Sequence, residues 1–376
     1  MVHSGIYIHI PYCKRKCTYC NFHFSTQFNT LKALLEALHT EIMNRALEIP
    51  DILVDTIYFG GGTPSVLSPT HIESLLHTVY SRYPVQPCAE ITLECNPDDL
   101  NREYLQDLHS IGINRLSIGI QSFSDRDLQW MNRAHNANQS KEALTLAAAT
   151  GFDNISCDLI FGIPGATDTE WLQHLGILYD NGVPHISCYA LTVEEMTLLE
   201  HRIRHQQMPA LSEEDSIRQM LLMFDSMTHH GYEAYEISNY CLPGHRAVHN
   251  SNYWKGLPYL GFGPSAHSYY GNTRRWNLSN NQLYSDAVKN GKLYYESETL
   301  TRRDRFNEFL MINLRRIEGI RIAELEQDFE EYARDTLLEL NRLQSEGLIA
   351  VNEESYTLTK EGKLLSDSVI RNLFQI

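Results

Sequence analysis

The sequence predicts an α/β fold with parallel strands, and two observations carry that prediction. Between residue 5 and about residue 190, six short apolar or β-branched runs, 5–10, 54–60, 89–94, 114–120, 155–161 and 185–190, alternate with segments of helical periodicity, 31–48, 68–82, 101–110, 125–131, 138–150 and 168–181. Polar and glycine-rich residues gather just past the carboxyl ends of those runs, where sites lie in both open α/β sheets and α/β barrels. Repeated strand-helix units imply right-handed crossovers and parallel pairing. The pattern fits an open doubly wound sheet and an incomplete barrel equally well.

Composition narrows the class. A chain of 376 residues can bury a large core and hold more than one domain. Its 43% hydrophobic and 21% charged content is that of a soluble globular protein. A net charge of -16 gives no support for a polyanion-binding surface, which needs clustered Lys and Arg. Eight cysteines make a poor disulfide framework for this length, and a reducing cytosol would keep their thiols available. The N-terminus reads as a strand start rather than a signal peptide, and no apolar run approaches the roughly 20 residues that span a bilayer. The expectation is a soluble cytoplasmic protein without a transmembrane segment, which leaves room for a membrane-bound partner.

The first run, Gly5–Ile10, leads into Cys13-Lys14-Arg15-Lys16-Cys17-Thr18-Tyr19-Cys20. Three thiolates at spacings of four and three can converge on one iron-sulfur cube, since soft ligands select zinc or Fe-S over hard cations. Three protein ligands on a four-iron cube leave one iron open to a small molecule. A structural zinc site with His23 as fourth ligand and three inert buried cysteines are the other readings.

The second run ends in Tyr58-Phe59-Gly60-Gly61-Gly62-Thr63-Pro64-Ser65. Consecutive glycines allow close backbone approach and positive φ, which suits a loop against a ligand as well as a plain turn. No Lys-Ser or Lys-Thr follows at phosphate-loop spacing. Glu94 ends the third run, Gln121 follows the fourth, Arg133 comes after, and Asp158 sits near the end of the fifth. Taken singly, Glu94 is a helix-terminus partner and Arg133 a surface cation.

After the sixth run, 191–230 is helical, with Ser212 as N-cap ahead of Glu213, Glu214 and Asp215. Residues 231–295 are rich in Gly, Asn, Tyr and Trp, with no clean linker before them, and read as an α+β extension across the mouth of the fold. Within them, His249-Asn250-Ser251-Asn252-Tyr253-Trp254 sets an imidazole beside two flat rings. That grouping could accommodate a porphyrin, and a satisfied structural histidine beside an aromatic core explains it equally well.

From about 300 to 376, helices at Arg302–Leu314, Arg321–Phe329 and Tyr332–Glu346 precede two short strands near Ile349 and Tyr356–Thr359 and a last helix at Glu361–Leu373. The order is winged-helix-like. Nucleic-acid binding is not expected, because 301–376 holds 11 Lys and Arg against 15 Asp and Glu. Packing on the main body or presenting a protein surface suits it better.

The cysteine spacing beside Tyr12 and Tyr19 resembles the signature of the radical S-adenosylmethionine superfamily. Nearly the whole chain is similar to the oxygen-independent coproporphyrinogen III oxidase family within it. The matching segments are Ile8–Cys13, Gly60–Ser65, Glu94–Pro97, Ser117–Phe123, Asp158–Gly165, Tyr235–Tyr240 and Tyr259–Ala266. The resemblance implies a partial (β/α)6 TIM-like barrel with its following helical segment over 1–230, the extension over 231–295, and the winged-helix-like domain over 300–376. It implies a 4Fe-4S cluster on Cys13, Cys17 and Cys20, with S-adenosylmethionine at the open iron. Tyr12, Gly61, Gly62, Thr63, Glu94, Gln121, Arg133 and Asp158 become the expected cofactor contacts. They supply acceptors for ribose hydroxyls and an ammonium, and a cation for a carboxylate.

Within the family the chain resembles the heme chaperone branch. The oxidase branch carries an extended arm before its cysteines and a further cysteine two places after the third; here twelve residues precede Cys13, and Phe22 holds that place. His249–Trp254 matches the chaperone branch's heme-associated motif, which makes His249 the expected heme contact. One departure is Ala166-Thr167, where the family usually has Gln-Thr. The implied partners are heme and an unidentified acceptor, a membrane-associated respiratory protein among the options, with a homodimer left open. The alternative is a coproporphyrinogen III oxidase that decarboxylates propionates by radical chemistry.

Overall fold

The first run folds as β1 (Val2–Ile10), in which Ile6, Ile8 and Ile10 are wholly buried. These alternate residues share one face of the strand, while Tyr7 and His9 on the other face line a cavity. The structure is a computed structural model that describes residues 1–375. Strands and helices then alternate: α1 (Leu31–Asn44), β2 (Ile52–Gly61), α2 (Pro69–Arg82), β3 (Val85–Cys95), α3 (Arg102–Ser110), β4 (Arg115–Gln121), α4 (Asp125–Trp130), α5 (Ala137–Ala149), β5 (Ile155–Phe161), α6 (Asp168–Asp180) and β6 (His185–Ala190). Strands β1 to β6 lie side by side in chain order, each neighbouring pair parallel.

Start signals fix the crossover helices. Ser68 caps α2 by accepting from the His71 N–H, while Asn136 with Gln139 and Thr167 with Glu170 form capping boxes on α5 and α6. Strand β3 begins four residues earlier than its apolar run. Pro87 and Cys88 are exposed, and the ladder with β2 shifts register between Val54 and Thr56, so this first part lacks the apolar signature.

Helices α7 (Leu198–Arg204) and α8 (Glu213–His229) follow, with Ser212 capping α8 through the Asp215 N–H at 3.1 Å. The sheet then grows at both ends. Strands β7 (Glu233–Ala234) and β8 (Asn239–Cys241) add antiparallel beyond β6. After α9 (Val248–Trp254), β9 (Tyr259–Phe262) adds parallel to β1. Strands β10 (His267–Tyr270) and β11 (Thr273–Asn277), α10 (Asn281–Lys289) and β12 (Tyr295–Thr299) complete that side. The result is one twelve-stranded mixed sheet in the order β12-β11-β10-β9-β1-β2-β3-β4-β5-β6-β8-β7. Four of the five β12 residues are exposed and polar, so no hydrophobic alternation marked it.

A buried ion network pins the added strands to α1. Glu41 is wholly buried and accepts from Arg45 Nη1 at 3.0 Å, Asn277 Nδ2 at 2.8 Å, the Gly263 N–H at 2.9 Å and Tyr284 OH at 2.5 Å. Arg45 also donates to Gly261 O at 2.6 Å and Ser268 Oγ at 2.9 Å. One helix thereby holds β9, β10, β11 and α10.

The C-terminal stretch forms α11 (Arg302–Arg315), β13 (Ile320–Arg321), α12 (Ile322–Asp328), α13 (Glu330–Ser345), β14 (Ile349–Val351), β15 (Ser355–Leu358), α14 (Lys360–Leu364) and α15 (Ser366–Leu373). Its strands make a separate antiparallel sheet, β13-β15-β14, over its own buried cluster of Phe306, Leu310, Leu340 and Ile370. A backbone bridge between Glu236 and Arg316 and an ion pair between Lys360 and Asp225 join it to the main body. Among the described residues, no helix is long and apolar enough to cross a membrane.

Removing Glu41 takes from Arg45 its buried partner, leaving only the half-buried Glu48, and strips the acceptor from Tyr284, Asn277 and the Gly263 N–H. Glu41→Ala is therefore expected to lower the unfolding free energy by about 3–5 kcal/mol, measured by denaturant unfolding of the whole chain; a loss below about 1 kcal/mol, the range of an exposed pair, would contradict the assignment.

Candidate functional site

Past the end of β1 the chain turns into the cysteine loop, and other loops hold it from several sides. Cys13 N–H donates to Ser25 O at 3.0 Å and Thr18 N–H to Met131 O at 3.1 Å. Lys14 pairs with Asp98 at 2.8 Å and with Asp99, and Asn132 Nδ2 donates to Lys16 O at 2.8 Å. The loop thus presents Cys13, Cys17 and Cys20, all half-buried and unpaired, to a cavity of about 650 Å³ at the carboxyl ends of the parallel strands.

The glycine segment forms the adjoining wall. Gly61 has φ of +105°, and a Cβ there would lie 2.4 Å from the His9 ring; a Cβ on Gly62 would lie 2.7 Å from Ile10 O. Only glycine fits so close to β1. The Gly61 N–H donates to Glu94 Oε2 at 3.1 Å and Tyr58 OH to Glu94 Oε1 at 2.8 Å. Burial pushes the Glu94 carboxyl up to about 7 against these two donors, and Asp158 adds to the rise. Burial likewise lifts Asp158 to about 6 and the Cys13 thiol to about 11.

Arg133 is the buried cation of the cavity, and Arg15 lines it from an exposed position. Arg133 Nη2 donates to Asn96 Oδ1 and to Gly119 O, both at 2.7 Å, and its Nη1 points at Cys17 Sγ at 3.4 Å. Asn96 Nδ2 continues to Thr63 Oγ1 at 3.3 Å, and Thr63 Oγ1 donates to Cys13 Sγ at 3.4 Å. A chain of donors therefore links two of the three sulfurs. Arg133 Nε is buried without a partner. Gln121 has φ of +67° just past a register shift between β4 and β5, the kind of bulge that re-aims a side chain beside a site.

Ten of the twelve residues expected from the sequence line this one cavity: Cys13, Cys17, Cys20, Gly61, Gly62, Thr63, Glu94, Gln121, Arg133 and Asp158. Tyr12 does not line it. Its ring is wholly buried, stacked on Phe28, with its hydroxyl 2.8 Å from Thr30 Oγ1. His249 does not line it either. It faces a smaller cavity of about 260 Å³ behind Glu94 and Asp158, where Nδ1 lies 2.7 Å from Thr56 Oγ1 and Nε2 2.9 Å from Tyr253 OH. Both ring nitrogens are engaged, and burial lowers the imidazole to about 3.

Spacing alone missed Tyr58, Asn96 and Gln219. Asn96 lies within the matching segment Glu94–Pro97, the one available signal. Gln219 comes from α8 and is buried; its side chain accepts from the Gly162 N–H at 2.8 Å and donates to Ala166 O at 3.2 Å. It braces the loop in which Ala166 replaces the usual amide.

The thiol set suits a 4Fe-4S cube. A cube asks for one thiolate on each of three irons around a common space, with donors nearby to balance the sulfur charge. Cys13, Cys17 and Cys20 share that space, and Thr63 and Arg133 supply two donors. The zinc alternative fares worse, because His23 lines a neighbouring cavity rather than this one, and among the described residues no three His, Cys, Asp or Glu side chains come together around a single ion.

Residues 7–178 match the Radical SAM superfamily and residues 300–365 the HemN C-terminal domain. The chain is 32% identical over 374 residues to the heme chaperone HemW of Mycobacterium tuberculosis strain H37Rv, covering 98% of this chain and 94% of that one. It is 33% identical over 373 residues to heme chaperone HemW of Bacillus subtilis, covering 97% and 98%. The solved coproporphyrinogen III oxidase HemN of Escherichia coli superposes with a TM-score of 0.86 over 100% of this chain and 90% of that one. At 23% identity that likeness shows a shared fold.

The raised Glu94 carboxyl fixes a sign. The folded state holds its proton to about pH 7 while the unfolded chain releases it near the ordinary carboxyl value of 4.5, so this group's contribution to stability falls as pH rises between those values. Glu94→Gln in the cluster-free protein should therefore gain stability relative to the parent between pH 5 and pH 8 in paired denaturant unfolding curves. A difference that stays flat across that range would contradict the shift.

Proposed function

This chain belongs to the radical SAM superfamily and, within it, to the HemN/HemW branch, and from that membership we propose that it is a heme chaperone. In this reading it carries a 4Fe-4S cluster on Cys13, Cys17 and Cys20, binds S-adenosylmethionine and heme, and passes heme to an acceptor protein. The observation that carries the proposal is the gathering of ten sequence-predicted residues on one cavity. Similarity along almost the full length to proteins named heme chaperone HemW supports it further.

When bound, the cluster supplies the electron for reductive cleavage of S-adenosylmethionine. The chain's own residues bind and orient. Gly61 and Gly62 keep the wall free of side-chain bulk. Glu94, once ionised, accepts from an ammonium, and Arg133 meets a carboxylate while it faces Cys17. Gln121 and Asp158 offer acceptors for ribose hydroxyls. Thr63 stays with Cys13, and Asn96 holds Thr63 and Arg133 in register.

The finer expectations belong to the same proposal. The six parallel strands form the partial barrel, 231–295 the extension, and 300–376 the winged-helix-like domain. The protein works in a reducing cytoplasm, where its eight thiols stay unpaired, and its acceptor is a respiratory protein at the membrane. The oxidase reading shares the fold and cofactors. Against it stands Phe22 where, by the resemblance, the oxidase branch has a further cysteine.

Anaerobic reconstitution tests this directly. Each of Cys13→Ala, Cys17→Ala and Cys20→Ala should lose the cluster's visible absorbance. Arg133→Leu should weaken S-adenosylmethionine binding at least about 30-fold, since breaking a buried charge pair costs about 2–5 kcal/mol. Reduced protein given S-adenosylmethionine and coproporphyrinogen III should form 5'-deoxyadenosine but no decarboxylated porphyrinogen by mass-resolved chromatography; sustained decarboxylated product would make the oxidase reading correct.

A further inference from the structure

Behind Glu94 and Asp158, the smaller cavity of about 260 Å³ forms an inner chamber of the sheet. Glu94, Ser117, Asp158 and Tyr189 line both it and the cofactor cavity, so the two adjoin. On the far side Tyr7 and Tyr253 separate it from an aromatic cleft of about 550 Å³, lined by Phe22, Tyr253, Trp254, Tyr259 and Tyr269. The chamber falls just below the usual size of a pocket for a drug-sized ligand. It suits a molecule of a few heavy atoms.

Strand alternation decides what faces the chamber. Arg115, Ser117 and Gly119 lie on one face of β4, while Leu116, Ile118 and Ile120 pack into the core. Gly119 borders the cofactor cavity, Ser117 both cavities and Arg115 the chamber. The parallel ladders set Glu94 beside Ser117, Ser117 beside Ser156, and Ser156 beside His185. One polar row thus crosses four strands.

Most of that lining is already hydrogen-bonded. Ser156 Oγ lies 2.7 Å from His185 Nδ1, and His185 Nε2 lies 2.8 Å from Tyr235 OH. Ser187 Oγ donates to Asn239 Oδ1 at 2.8 Å, Tyr58 serves Glu94, and His249 is shared between Thr56 and Tyr253. The Arg115 guanidinium is different. The residue is 3% exposed, it makes no hydrogen bond among the described residues, and its Nε is enclosed without a partner. The Glu90 carboxylate stands 3.8 Å from that nitrogen and already accepts from the Val248 and His249 N–H groups, both at 2.9 Å. The Ser117 hydroxyl, on a residue 6% exposed, also makes no hydrogen bond among the described residues. A buried cation with its donors open is costly. A planar carboxylate matches a guanidinium fork with parallel hydrogen bonds, whereas a dianion would meet Glu94 and Asp158 at the chamber's edge.

We propose that the chamber binds a short-chain monocarboxylate through the Arg115 guanidinium and the Ser117 hydroxyl, and that its occupancy weakens S-adenosylmethionine binding in the adjoining cavity. The binding rests on the chamber's geometry, and the coupling rests on the cofactor reading above. Its cause is electrostatic. Arg115 favours the ionised forms of Glu94 and Asp158, which are the forms that receive a cationic ligand. A carboxylate on Arg115 cancels that support and sets a like charge beside both.

Titration of the full-length, anaerobically reconstituted protein with trifluoropropionate, followed by fluorine NMR, decides the matter. Binding should saturate, yield to added propionate, and resist chloride at equal ionic strength. Arg115→Leu should weaken it at least about tenfold and Ser117→Ala about threefold, with the cluster's visible absorbance intact as the sign of a folded protein. Should Arg115→Leu lose that absorbance, Arg115→Lys, which keeps the charge without the fork, takes its place with the same expected loss. Saturating propionate should weaken S-adenosylmethionine binding at least about fivefold in the parent and leave the affinity of the Arg115 variant unmoved. Trifluoropropionate that does not saturate, or that chloride displaces as readily as propionate does, overturns the site and leaves Arg115 as a countercharge to Glu94 and Asp158. A saturable site with unchanged S-adenosylmethionine affinity overturns the coupling alone. A parent that binds no S-adenosylmethionine even without propionate overturns the cofactor reading, while the fluorine titration still decides the site.

Discussion

Charge balance in one poorly solvated cavity is the constraint on which the rest of this structure depends. The three cluster-loop thiols and the buried carboxyls of Glu94 and Asp158 share its interior with one buried guanidinium, Arg133, while Arg15 and Glu194 lie toward the solvent. Were all five acids ionised, the net charge would be strongly negative, and burial makes such an excess costly. The protein answers by holding protons: Glu94, Asp158 and the Cys13 thiol are all raised. Cationic ligands can replace those protons. Iron takes deprotonated thiolates, and an ammonium beside a sulfonium matches two carboxylates. The cavity is built to exchange protons for positive charge.

Holding such a set together takes more than the six parallel strands. Lys14, Asn132 and Ser25 tie the cysteine loop to neighbouring loops, and the Arg133–Asn96–Thr63 chain sets the donors around Cys17 and Cys13. Farther out, Glu41 and Arg45 fasten β9 to β11 against α1. That fastening places the aromatic cleft against the same cysteine loop, with Phe22 between the two cavities.

The sequence made local chemistry legible and hid long-range chemistry. Cys13, Cys17 and Cys20 could be read together because they fall within eight residues, and Gly61 and Gly62 because a Cβ at either would collide with β1. Six strands could be placed because parallel strands buried on both faces are almost continuously apolar. Tyr58 and Gln219 gave no sign, since each acts across the fold on residues far away in the chain. The inward turn of His249 was equally invisible: nothing in its neighbours shows that Thr56, 193 residues away, takes one ring nitrogen.

Calorimetric titration of S-adenosylmethionine into the reconstituted protein at pH 7, run in two buffers of different ionisation enthalpy, tests the central claim most directly. The charge-balance account predicts that the apparent binding enthalpy differs between buffers in the direction of proton release, as Glu94, raised to about 7, ionises against the incoming cation. Enthalpies that agree between buffers, or differ in the direction of proton uptake, would contradict it.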